Sequence, residues 1–175
     1  VVDEPQVHMA RAGVLSAYVE IVLASGDHPA ARDAADQLAA VSTELQTPLV
    51  TASSRYATGA VLLADGDARA AVDALRDAWT TWQEIGVPYE AARVRVLLGQ
   101  AFRVLGDEDT AAMELDAALS AFRRLAAAPD VARVKCVPVP DQPGAVRLLV
   151  VPKVSEALDP AMAEPQPSDD TLARI

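Results

Sequence analysis

Few side chains in this 175-residue sequence are of types that carry chemistry, and they are scattered. His8 and His28 fall in different turns, and neither has a second ligand at helical spacing, so both are expected at the surface or in helix caps rather than on a metal. Cys136 has no histidine near it in sequence and is expected to be a small core hydrophobe rather than a nucleophile. The acidic clusters around Gly66 and Gly106 (DGD and GDEDT) offer oxygens, but not the alternating ligands and closing Glu of a calcium loop. Helix capping accounts for them better. No nucleophile, base or metal constellation assembles, so no enzymatic activity, cofactor or metal is expected.

The elements that would position such groups are set by a repeat. Gly-Asp occurs at Gly26-Asp27, Gly66-Asp67 and Gly106-Asp107, a fixed interval of 40 residues. Ala31, Ala71 and Ala111 keep the register after the pair, and Val22, Leu62 and Phe102 keep it before. Pro48 and Pro88 keep it too, while Pro129 comes one residue late. The pattern predicts three antiparallel helical hairpins, with Gly ending one helix, Asp capping the next and proline opening the following hairpin. Helices are expected over about 8–25, 29–46, 49–65, 68–85, 89–105 and 109–127. Leu75, Ala78, Trp79, Trp82 and Ile85 make one apolar stripe, which puts both tryptophans in the core rather than on a recognition surface.

On this frame one polar set stands out. Arg93, Gln100 and Arg103 form a stripe opposite Leu98 and Phe102, with Ser53 and Tyr56 near the same place one repeat earlier and Ser16 and Glu20 two repeats earlier. The first helix of each hairpin lines the concave face of a stacked helical array. Glu20, Ser53, Tyr56, Arg93, Gln100 and Arg103 are therefore expected contacts for a peptide or a small effector. A merely solvated face explains the same stripe.

The net charge of −10 argues against direct contact with nucleic acid, which needs a basic face. No run of eighteen apolar residues and no basic-then-apolar start is present, so neither a membrane span nor a secretory signal is expected. The single cysteine fits a reducing compartment, and the expected location is cytoplasmic. The chain begins without Met and reads as part of a longer protein.

The third repeat, LGQAFRVLGDEDTAAMELDAALSAF, resembles a tetratricopeptide repeat through Leu98, Gly99, Phe102, Gly106, Asp107, Ala111, Leu115 and Ala118. Its period is longer than the usual length of about 34 residues. Residues 9–128 as a whole, with phrases such as AYVEIVLASGD and FRRLAAAPD, look like the helical repeat region of bacterial LuxR-type transcriptional regulators. That resemblance implies a sensing and interaction module with an ATPase before it and a helix-turn-helix after it. Neither motif occurs here: there is no GxxxxGK[ST] loop and no basic helix pair.

Beyond Pro129 the pattern alternates, with Val134 and Cys136 between Arg133 and Lys135, and Ala145 to Val151 is rich in valine. A short β-hairpin followed by a proline-rich irregular tail is expected over 129–175, where eight of the twelve prolines lie. The string APDVARVKCVPVPDQPGAVRLLVVPKV is similar to a segment of baseplate J-like assembly proteins, which implies a structural part of a contractile tail. Two domains follow, a mainly all-α solenoid at 1–128 and an appendage at 129–175 that is either its cap or a foreign fusion.

Overall fold

The Gly-Asp pairs stand where the chain reverses. In the structure, a computed structural model that describes the backbone of residues 4–135 and the side chains of 6–134, helices fill the spaces between them. These are α1 (Glu4–Ser25), α2 (His28–Leu45), α3 (Pro48–Ala64), α4 (Ala68–Glu84), α5 (Pro88–Val104), α6 (Glu108–Arg124) and α7 (Ala128–Lys135).

Each turn is built by the residues that the repeat preserves. Gly26, Gly66 and Gly106 have φ of 82°, 89° and 80°, a left-handed conformation that costs glycine little. Asp27, Asp67 and Asp107 then accept hydrogen bonds from the amides of Ala30, Ala70 and Thr110 at 3.1, 3.0 and 3.0 Å. A second left-handed position recurs between hairpins at Gln46, Gly86 and Ala126, with φ of 48°, 69° and 55°. Pro48 and Pro88 open α3 and α5, where the missing amide hydrogen has no partner to lose.

The hairpins α1/α2, α3/α4 and α5/α6 stack in order, α3 packing on α2 and α1, and α5 on α4 and α3. Ala31, Ala71 and Ala111 are completely buried, as small residues at a close helix crossing should be. Gly59 and Gly99 mark closer crossings still: a Cβ added there would lie 2.6 Å from Leu75 Cγ and 2.7 Å from Leu115 Cγ. The first repeat reaches a similar fill by the reverse choice, with Val19 at the glycine position and Ala35 at the leucine position, both buried.

The 40-residue interval does not end at the third hairpin. Residue 128 stands 40 after Pro88, and α7 starts there, with Pro129 as its second residue. The reading of residues 131–135 as the start of a strand is therefore corrected. The valine-charge alternation is too short to override a helix start that already has a partner in α6, and Val131 and Val134 share one helical face. That face covers Phe122, which is fully buried together with Ala118, Ala92 and Val96. Tyr89 meets the Phe122 ring edge-on at 5.7 Å, and its hydroxyl donates to Asp130 on α7 at 3.2 Å. The boundary expected at 128/129 thus falls within continuous helical packing, and the proposed β-hairpin, Cys136 and the tail lie outside the described residues.

Among the described residues one helical segment, Gln6–Ser25, is long and apolar enough to cross a bilayer on length and composition, and a third of it is buried inside the protein. Its polar Glu20 is among the buried residues.

Candidate functional site

The first helices of the three hairpins, α1, α3 and α5, enclose a cleft of about 220 Å³. Met9, Leu49, Val50, Trp82 and Val87 give it apolar walls, and Ser16 and Ser53 add hydroxyls. At its base lies Arg93, only 3% exposed. Its Nη1 donates to Glu90 Oε2 at 2.8 Å, and its Nη2 donates to Glu20 Oε1 at 2.6 Å and to the Tyr56 hydroxyl at 3.2 Å. The guanidinium also lies 4.9 Å from the centre of the Tyr56 ring.

Local sequence explains each placement. Glu90 and Arg93 are one turn apart on α5 and pair along the helix. Glu20 comes from α1 and Tyr56 from α3, so one guanidinium joins all three hairpins. Burial alone would lower the affinity of Arg93 for its proton, but Tyr56, Glu20 and Glu90 outweigh that and hold it above its ordinary value. Burial pushes the Tyr56 hydroxyl up from its ordinary value, against the pull of Arg93 and with help from the two carboxylates. Both groups keep one charge state across the physiological range. The base of the cleft therefore presents a charged guanidinium beside a neutral phenol.

The structure brings four of the six expected contacts together: Glu20, Ser53, Tyr56 and Arg93 all line the cleft. Ser53 donates its hydroxyl to the Leu49 carbonyl at 2.9 Å. Gln100 and Arg103 do not line it. Gln100 is buried farther along α5, and Arg103 is half-buried with Nε 3.7 Å from Glu108. A solvated stripe is overturned as well, since Glu20, Tyr56, Arg93 and Gln100 are all buried. α5 is flanked by α4, α6 and α3, so even its polar side has neighbours. Glu90 was missed, although its spacing of three from Arg93 on a predicted helix could have shown it. Trp82, expected only in the core, is both buried and part of the cleft wall. Trp79 is half-buried, with the Arg95 guanidinium 4.9 Å from its ring centre.

The remaining polar groups stay apart from the cleft. His28, the first residue of α2, lies 3.4 Å from Asp65, and His8 lies 3.7 Å from Glu44. Arg32 grips Asp65 with both Nε and Nη2, at 2.6 and 2.7 Å. That bidentate bond, with His28 beside it, holds the Asp65 carboxyl below its ordinary value despite partial burial. Among the described residues no group of three or more His, Cys, Asp or Glu could hold a metal ion.

No family model, curated protein or solved structure matches this chain.

Proposed function

We propose that this chain is a protein-interaction or effector-sensing module, a helical repeat segment of a LuxR-type transcriptional regulator working in the cytoplasm. The observation that carries the sensing part is the cleft: its lining comes from all three hairpins, and its base is one ion network that joins them. A peptide or small effector seated there touches every repeat at once, so binding changes how the repeats sit together and passes to whatever adjoins the module. A buried guanidinium ringed by carboxylates, with apolar walls above it, suits recognition by shape and charge. The link to LuxR-type regulators rests on the sequence resemblance of residues 9–128. No observation among the described residues favours the baseplate reading, and α7 carries the helical repeat into the stretch that suggested it.

Ser53→Trp tests the cleft, because Ser53 lines it and makes no bond to the ion network. A panel of peptides and small effectors is screened by thermal shift, and binders are quantified by calorimetry. At least one is expected to lose about tenfold or more in affinity in S53W, roughly 1.4 kcal/mol, while binding the exposed-surface control Ser120→Trp unchanged. Binders that ignore S53W, or an empty screen, refute the reading. The regulator assignment is checked separately, by a phosphate-loop module upstream and a helix-turn-helix downstream in the same reading frame.

A further inference from the structure

Among the described residues no helix covers the outer face of α1. Val7, Val14 and Ile21 recur every seven residues and are 47%, 68% and 60% exposed. Ala10, Ala17 and Ala24 recur every seven residues beside them, and all three are exposed. Together these are the a and d positions of three heptads, β-branched at a and alanine at d. Arg11 is the single charged residue among the exposed residues of the described part of this helix.

The repeat tells what such a face does elsewhere in the molecule. Forty and eighty residues on, Val14 becomes Ser54 and Val94, Ile21 becomes Val61 and Ala101, and all four are buried. α3 packs on α2 and α1, and α5 on α4 and α3, so each of these helices has the preceding hairpin as a neighbour. The face of α1 is thus the continuation of the interface that joins repeat to repeat, and its fitting occupant is a helix.

We infer that this helix is α1 of a second copy of the chain, running antiparallel. Reversing one helix sets each large residue against a small one. Val7 comes level with the partner's Ala24, Val14 with the partner's Ala17, and Ile21 with the partner's Ala10. A parallel pair would instead stack valine on valine and alanine on alanine, leaving every alanine layer underfilled. The self-complementary pattern is that of an isologous two-fold contact. Its central Ala17 also lines the cleft, so the seam and the cleft meet along one edge of α1.

Sedimentation velocity of the full chain over about 1 to 100 µM tests the association. A concentration-dependent dimer is expected, and Val14→Glu with Ile21→Glu should make it monomeric with unchanged helical circular dichroism, since both positions face outward. A monomer throughout, or a dimer indifferent to V14E/I21E, overturns the proposal. Orientation is tested in a Cys136→Ser background with the single variants Val7→Cys and Ala24→Cys. Mixed and oxidised, they should give a disulfide between the two variants, whereas each alone should stay largely unlinked. Efficient cross-linking of each variant alone would show a parallel pair and refute the antiparallel seam.

Discussion

At the scale of single residues, the informative side chains are the buried ions. Arg93 with Glu20 and Glu90 has given up most of its water, and such groups survive only when every charge has a close partner. The sequence marked Glu20, Tyr56 and Arg93 as a set but not as a contact. A helical wheel shows which side a residue is on, and what lies opposite depends on how the hairpins stack. The bond between Arg32 and Asp65 was hidden for the same reason, since its partners come from different hairpins. Its pH dependence follows from sign. The folded-state carboxyl of Asp65 is held low, so its stabilisation is complete above the unfolded value of about 3.9 and fades as pH falls through the folded value. Asp65→Asn should therefore lower stability by about 1 kcal/mol at pH 7, a figure at the top of the range for a partly exposed pair. The gap from the parent should close on acidification below about pH 4, as read from thermal melts across that range.

At the scale of elements, the six long helices were legible almost to their ends, because the capping residues repeat with the period. Glycine at a turn and aspartate after it act locally, so no tertiary knowledge is needed to read them. The seventh helix was missed where two local signals competed: valines alternating with charges suggested a strand, while the interval of 40 called for a helix. The interval was the better guide, since it records the packing that already awaits the segment. Two substitutions test these turns and crossings. Ala126 holds a left-handed conformation that Gly86 adopts freely at the equivalent place, so Ala126→Gly should stabilise by about 1 kcal/mol in urea titrations. Gly99→Val should cost about 1–3 kcal/mol by crowding Leu115, despite valine's better helix propensity. Adding Leu115→Ala should return part of that loss, since Val19 and Ala35 already form the same pairing in the first repeat. Purely additive losses in that cycle would mean that the two positions do not meet.

At the scale of the whole molecule, stacked repeats ordinarily lose their ends first, because each unit holds only its neighbours. This stack has a bond that skips a unit: Glu20 on α1 and Arg93 on α5 are 73 residues apart, with the second hairpin between them. Arg93→Met should cost about 3–5 kcal/mol by removing the cation that pairs with two buried carboxylates, and Glu20→Gln added to it should recover part of the loss. The shape of the transition is the sharper measurement. The parent should melt in one step with equal van't Hoff and calorimetric enthalpies, and the variant should melt more broadly, its first hairpin losing amide protection before the rest. One sharp step in both would show that the distant pair adds strength without adding cooperation. The ion pair thus acts as a clasp on a string of beads: while it holds, fraying at the first hairpin must break a contact with the third, and three modules with separate fates share one.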